Sequence, residues 1–357
     1  MIALILILFF LFLYVFAVQA DSAKWVLRRL TYEAECDLPL AEPEQPITLT
    51  SRTENRGRLP ALYVHITESL PPEAKILADE DWVRDNARRG KSEISVSDVT
   101  ALMPRSRRTS ELRFTLPKRG WYRLGKATIG AGDLLGLRED FRMDNTRLEV
   151  VVMPERCETP SINEVLGGFL GDISVRRFIL EDPVLAIGFR EYTGREPMKT
   201  IAWNQTARTG ALMVKQYDHT VDASVSVLLN TEGGTEEDIE RCYSITRTVC
   251  EELERRGVPY EFRTNGDLAG PVDSLSFVAE GLGEQHLRTI LYGLGRGNCR
   301  SLSGFDKLVG RTVRRKRTNL GYILITPPLA PDKLKLAQRL RGEGSTLCVL
   351  TGEEAAA

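Results

Sequence analysis

The sequence predicts a multi-domain α and β protein: an N-terminal transmembrane helix, an immunoglobulin-like β-sandwich, and then a doubly wound α/β domain. Three observations carry this. The chain opens on an unbroken apolar run, its first third alternates with a period of two, and strands alternate with helices after residue 217. The implied segments are an anchor over 1–20, a sandwich over 31–154, a connecting region over 155–217 and the α/β domain over 218–351.

The anchor comes first. Residues 2–18 carry no charged side chain. As a helix they would span about 26 Å, close to the roughly 30 Å hydrocarbon core of a bilayer. Lipid cannot hydrogen-bond the backbone, so such a run must be helical if it spans. Lys24, Arg28 and Arg29 follow it and no basic residue precedes it. The positive-inside rule then places the bulk of a single-pass membrane protein in the cytoplasm. The rival is a cleaved signal peptide, for which Val18-Gln19-Ala20 supplies a small-residue site. Against it stand the missing basic n-region and an apolar run longer than the usual stretch of about 7–15 residues.

Composition narrows the function classes. A formal net charge of -1 argues against a nucleic-acid binder, which needs a cationic surplus to displace counterions from phosphates. The apolar content of 42% and charged content of 27% are those of folded domains. Cys36, Cys157, Cys242, Cys250, Cys299 and Cys348 form no C-x-x-C pair and read as scattered free thiols of a reducing compartment. His65, His219 and His286 are too dispersed for a metal site.

The sandwich is read from alternation. Pro46-Ile47-Thr48-Leu49-Thr50 alternates apolar and polar residues, as do the runs carrying Leu62, Val64, Ile66 and Leu112, Phe114, Leu116. Asn55-Arg56-Gly57 supplies a turn, and residues 128–130 and 148–153 add strand-like pieces. Residues 71–108 are charged with weak periodicity and read as a long excursion or a small helix around 79–89.

In the third segment, residues 223–229 form a buried strand. Thr235 and Asp238 resemble a capping box. Ile239, Cys242, Tyr243, Thr246, Val249, Cys250 and Leu253 then share one helical face, and Gly257 ends the helix. Strands at 260–263, 274–278, 320–325 and 346–350 alternate with helices at 284–294, 305–313 and 331–340, a pattern that builds a parallel-rich sheet.

One stretch is distinctive. It reads Arg190-Glu191-Tyr192-Thr193-Gly194-Arg195-Glu196-Pro197-Met198-Lys199-Thr200-Ile201-Ala202-Trp203-Asn204, and continues through Thr206, Arg208, Leu212 and Val214 to Lys215. It resembles the signature of the domain-of-unknown-function-58 family, R-E-Y-x-x-G-D-x-x-R-x-I-x-W-x-x-S-A-R-x-x-x-L-x-V-K. Lys118-Arg119-Gly120-Trp121-Tyr122-Arg123-Leu124-Gly125 is similar to that family's R-G-x-Y-x-L-G stretch. Glu196, Lys199 and Thr206 stand where the family has Asp, Arg and Ser, each preserving charge or hydroxyl. A single apolar segment appears where many members have two. The resemblance implies a von Willebrand A-like carboxyl half and association with a MoxR-type AAA+ ATPase, often with transglutaminase-like membrane proteins as well. It implies a role in assembling or remodelling proteins at the membrane, and no known reaction.

Each possible chemistry meets an obstacle. A metal-binding von Willebrand A domain carries D-x-S-x-S after its first strand, because hard cations want convergent carboxylate and hydroxyl oxygens. Here that loop is Asn230-Thr231-Glu232-Gly233-Gly234, and the later strand is followed by Thr326-Pro327-Pro328. Asn230, Thr231 and Glu232 thus read as a degenerate, metal-free loop that could still touch a partner at the strands' carboxyl ends. The alternative is a metal-dependent receptor.

Gly293-Leu294-Gly295-Arg296-Gly297 trails a helix and lacks the Gly-Lys-Ser/Thr of a phosphate loop. Arg311, Arg314, Arg315, Lys316 and Arg317 read as a solvated helix end, with anionic lipid as the alternative contact. In the motif, Arg190, Glu191, Tyr192, Gly194, Lys199, Trp203, Arg208 and Lys215 include no nucleophile with a base. Trp203 and Tyr192 are expected either to plug a domain junction, with Arg208 meeting buried acceptors, or to form a docking surface. The expected function is therefore a non-enzymatic, membrane-tethered adaptor working with a MoxR-type AAA+ ATPase. No metal, cofactor, nucleic acid or small-molecule substrate is expected.

Overall fold

The structure, a computed structural model, describes residues 22–133, 138–157, 160–179, 186–194, 198–217, 224–269, 276–315, 320–341 and 345–352. The apolar run 2–18 lies outside the described residues, as do Arg195, Glu196, Pro197, His219, Lys316 and Arg317. Among the described residues no helix is long and apolar enough to cross a membrane. The chain divides into two compact units, Met1–Glu155 and Arg156–Ala357.

In the first unit helical residues 22–29, here α1, lead into a β-sandwich. One sheet orders β1 (Leu30–Cys36), β3 (Ile47–Asn55), β8 (Arg107–Thr115) and β5 (Lys75–Ile76). The other orders β2 (Leu40–Ala41), β10 (Glu139–Val152), β9 (Gly120–Gly132), β4 (Ala61–Leu70), β7 (Ile94–Leu102) and β6 (Ala87–Arg89). All pairings are antiparallel except the short contact of β2 with β10. The alternation has its expected cause: Ile47, Leu49, Leu112 and Phe114 from one sheet share a core with Val64, Ile66, Ile129 and Val150 from the other.

Two details depart from the sequence reading, and the small helix expected near 79–89 is present. Leu62 points outward, because the pairing of β4 with β7 shifts register between Ala61 and Val64; one residue of slip exchanges the faces of a strand. The stretch 71–108 is no excursion, for it holds β5, α2 (Glu80–Asn86), β6 and the nine-residue β7. The helix within it buries none of its residues.

The second unit is built on a five-stranded sheet ordered β16 (Phe277–Gly281), β14 (Tyr260–Thr264), β13 (Ser224–Leu229), β18 (Leu320–Thr326) and β19 (Thr346–Thr351). The β14, β13, β18 and β19 strands run parallel and β16 antiparallel. Helices α5 (Glu236–Arg255), α6 (Glu284–Arg296), α7 (Phe305–Arg314) and α8 (Pro331–Ala337) connect them. The Thr235 hydroxyl accepts from Asp238 N and the Asp238 carboxylate accepts from Thr235 N, so the capping box is present. All seven residues expected on the inner face of α5 are buried.

Strand β13 feeds β14 on one side while β18 flanks it on the other. The chain after Leu229 therefore leaves the sheet where its winding reverses, which is where doubly wound folds place binding crevices. A two-stranded ribbon of β15 (Gly266–Leu268) and β17 (Gly297–Ser301) flanks that edge. The run Gly293–Gly297 closes α6 and opens β17, consistent with a helix terminus and not a phosphate loop.

The connecting region holds more order than its lack of period suggested. A helix, α3 (Pro160–Ile179), buries Ile162, Leu166, Phe169 and Leu170. A hairpin of β11 (Ala186–Glu191) and β12 (Met213–Tyr217) encloses α4 (Trp203–Thr209).

Candidate functional site

At the switch point the Asn230 side chain is wholly buried and fully engaged. Its Oδ1 accepts from Asn265 Nδ2 at 2.8 Å and from Glu232 N at 3.0 Å. Its Nδ2 donates to Thr326 Oγ1 at 2.9 Å and to Glu232 O at 3.2 Å. Asn265, the first residue past β14, accepts from Thr231 N at 2.9 Å and donates to Ser303 O at 3.1 Å. An amide can donate and accept at once, and a carboxylate at either position could not. Two uncharged amides thus close the crevice floor where a metal loop would need negative oxygens.

The one carboxylate of the loop is turned elsewhere. Glu232 Oε1 accepts from Lys333 Nζ at 2.8 Å, and Oε2 accepts from the Phe305 N–H that opens α7. The Lys333 ammonium, followed by the Phe305 N–H, holds this carboxyl below its ordinary range. The anion is thereby engaged in joining the starts of α7 and α8. Gly234 has a φ of 80°, and a side chain there would start 2.6 Å from Pro327 Cβ. A serine hydroxyl at that position is excluded by backbone and neighbour together. Among the described residues no group of three or more His, Cys, Asp or Glu side chains could hold a metal ion.

The motif residues form a second locality. In the hairpin Phe189 faces Lys215, Arg190 faces Val214 and Glu191 faces Met213. Tyr192 N donates to Leu212 O at 2.7 Å, and Ala202 N to Met213 O at 2.8 Å. The Thr206 hydroxyl accepts from Met213 N at 3.0 Å, which explains a hydroxyl residue at this point: it fastens α4 to β12. Gly210 ends α4 in the left-handed region with φ 73°. Ile201, Ala202 and Val214 are buried beneath.

The large side chains point the other way. Trp203 is 62% exposed and Met198 71%, with Phe189 and Leu212 also exposed. This corrects the expectation of a tryptophan plug, since α4 buries none of its residues. Arg190, Glu191, Gly194, Lys199, Arg208 and Lys215 are exposed too, while Tyr192 is half-buried. Among the described residues Lys199, Arg208 and Lys215 pair with no carboxylate, so Arg208 does not serve a buried acid.

All six cysteines are free thiols, and burial pushes Cys242 up to about 12, which keeps it protonated. The His286 Nε2 bonds the Tyr260 carbonyl at 3.0 Å.

Asn265 and Lys333 were not singled out in the sequence. Asn265 carries a positional signal, since it directly follows a parallel strand beside the switch point. Lys333 carries none, for its partner lies 101 residues away.

No family model matches the chain, and no curated protein does. Among solved structures it is similar to the CARDB domain of a Pyrococcus furiosus protein, at 13% identity and a TM-score of 0.22, over 34% of this chain and 86% of that one. A non-cellulosomal cohesin from Archaeoglobus fulgidus gives 12% identity and 0.21, over 30% and 80%. A human PapD-like domain gives 12% and 0.21, over 34% and 84%. Likenesses this slight carry no argument, and the sandwich rests on its strand pairings.

Proposed function

We propose that the protein is a non-enzymatic adaptor, tethered to the membrane by its apolar run 2–18, which docks another protein on its 186–217 module. One observation carries the reading: within the one motif module Met198, Trp203, Phe189 and Leu212 all stand exposed, as do Lys199, Arg208 and Lys215, which pair with no carboxylate among the described residues. Apolar side chains clustered in water, rimmed by charge, are the usual mark of a protein interface, and Trp and Arg are the residue types that anchor one. The resemblance to the domain-of-unknown-function-58 family supplies the partner class, a MoxR-type AAA+ ATPase, and reads the doubly wound unit as von Willebrand A-like. The amide-closed loop supports recognition without metal over a metal-dependent receptor.

The test is a binding measurement between the full-length protein and a MoxR-type ATPase from the same organism. A photo-crosslinking residue replacing Ala207, beside Trp203, should capture the ATPase, and one replacing exposed Lys335 on α8 should not. Equal capture at both positions, or none at Ala207, would remove the docking reading. A carboxyl-terminal reporter active only in the cytoplasm tests the tether, and a mature chain starting at Asp21 would overturn it.

A further inference from the structure

We infer that the concavity between the end of α1 and the turn joining β3 to β4 binds a phosphate-bearing anion. It measures about 600 Å³, and its lining brings together Arg28, Arg29, Arg56 and Arg58 with Trp25 and no carboxylate. Two separate segments supply the four guanidiniums. The Asn55 side chain shapes the turn: Oδ1 accepts from Gly57 N at 2.9 Å, and Nδ2 donates to Leu59 O at 2.9 Å and to Leu102 O at 3.1 Å. A side chain on Gly57 would start 3.2 Å from Arg29 Cβ, so the glycine permits the close approach that puts the arginines on one rim.

The ordinary explanation for Arg28 and Arg29 is that they cap the negative end of α1. Other groups already do so. Arg142 donates to Leu27 O and to Leu30 O, each at 3.0 Å, and Arg56 N donates to Arg29 O at 3.0 Å. Arg56 shares Glu54 with Arg107, but among the described residues Arg28, Arg29 and Arg58 pair with no carboxylate. Like charges gathered on one rim repel unless an anion sits between them. Guanidinium forks match phosphate oxygens in pairs, which makes a phosphate group the anion this rim suits.

Two sources could supply that phosphate: an anionic lipid headgroup or a soluble phosphate. The exposed Trp25 on the rim is the residue type that settles at membrane interfaces. Arg28 follows Val18, the end of the apolar run, by ten residues, which reach at most about 35 Å even fully extended. The lipid source rests on the membrane-anchor reading; the anion site does not.

The experiment uses the full-length protein in detergent micelles doped with phosphatidylglycerol or with phosphatidylcholine, read by native mass spectrometry. Calorimetry with inorganic phosphate runs beside it. Retention of phosphatidylglycerol above phosphatidylcholine assigns the headgroup, and calorimetric binding of phosphate assigns the soluble source. Arg28→Glu with Arg58→Glu should weaken either by roughly thirtyfold or more, while Lys335→Glu on α8 should leave it unchanged. Arg28→Gln with Arg58→Gln, expected to weaken binding less, stands in if charge reversal lowers the melting temperature. Equal retention of the two lipids without phosphate binding, or binding undiminished in both double variants, overturns the site.

Discussion

Asn265 donates its amide to Asn230 Oδ1 at 2.8 Å, and this single contact links the ends of two neighbouring parallel strands at the crevice of the sheet. It lies in a hydrogen-bonded chain of buried Thr326, Asn230, Asn265 and Thr231 that ends on half-buried Ser303. The Asn230 and Asn265 amides donate only to uncharged acceptors. A crevice floor so arranged is rigid and neutral, suited to holding the surrounding loops in one conformation and unsuited to gathering a cation.

Asn230→Asp should therefore destabilise the protein by about 2–3 kcal/mol in denaturant unfolding, because the new oxygen replaces a donor facing Thr326 Oγ1 and the Glu232 carbonyl in a dry site. Added Mg²⁺ should not restore the loss, since Gly234 cannot take a serine without strain. Treatment of the unaltered protein with a chelator should leave its melting temperature unchanged. Micromolar Mg²⁺ or Mn²⁺ binding that disappears in Asn230→Ala would favour the metal-dependent receptor instead.

Glu232 sets a pH dependence of known sign. Lys333 and then the Phe305 N–H lower its pKa in the folded state from an ordinary 4.5. Its contribution is thus fully present above that ordinary value and is lost as pH falls through the lower folded one. Glu232→Gln should cost about 1 kcal/mol near neutrality, in line with a partly exposed pair at a helix start. The difference between the two proteins should shrink toward zero on acidification below the ordinary value. A constant difference across that range would mean the carboxylate is not what Lys333 holds.

Glu68 has the opposite sign. It is buried inside the sandwich, accepts from the Tyr32 hydroxyl at 2.9 Å, and has its pKa raised, chiefly by burial. A raised folded pKa means that stability falls as pH climbs from the ordinary 4.5 through the folded value. Glu68→Gln keeps an acceptor for Tyr32 and removes the ionisation. It should stabilise the protein at neutral pH and flatten the unfolding free energy above the ordinary carboxyl range. Tyr32→Phe should destabilise by about 1–2 kcal/mol through the lost donor.

What the sequence made legible was periodicity carried by burial. The face of α5 from Ile239 to Leu253 was readable because seven inward positions are apolar, aromatic or small, though buried Arg247 on the same helix breaks that pattern and gave no sign of its burial. The start was readable because Thr235 and Asp238 carry the cap in their side chains. The 20-residue α3 escaped because Gly167, Gly168 and Gly171 interrupt any apolar stripe. The β7 strand escaped because only Ile94, Val96 and Leu102 mark its inward positions among serines, Asp98 and threonine. Leu62 misled because a register shift leaves no trace in residue type. The crevice was located by strand order, but its chemistry depends on Asn265 and Lys333, which only the folded chain brings to Asn230 and Glu232.

Trp203 separates structure from docking. A buried tryptophan cut to alanine would cost roughly 3–5 kcal/mol, but this one is 62% exposed on a helix that buries nothing. Trp203→Ala should therefore shift stability by no more than about 0.5 kcal/mol, as surface substitutions do. Val214→Ala, in the buried strand beneath, should cost about 1–3 kcal/mol. If the module docks an AAA+ ATPase, Trp203→Ala should weaken that binding at least tenfold, as loss of an aromatic anchor does. Paired measurements of melting temperature and ATPase affinity decide it. A large loss of stability would return the residue to a structural role, and unchanged affinity would move the docking surface away from α4.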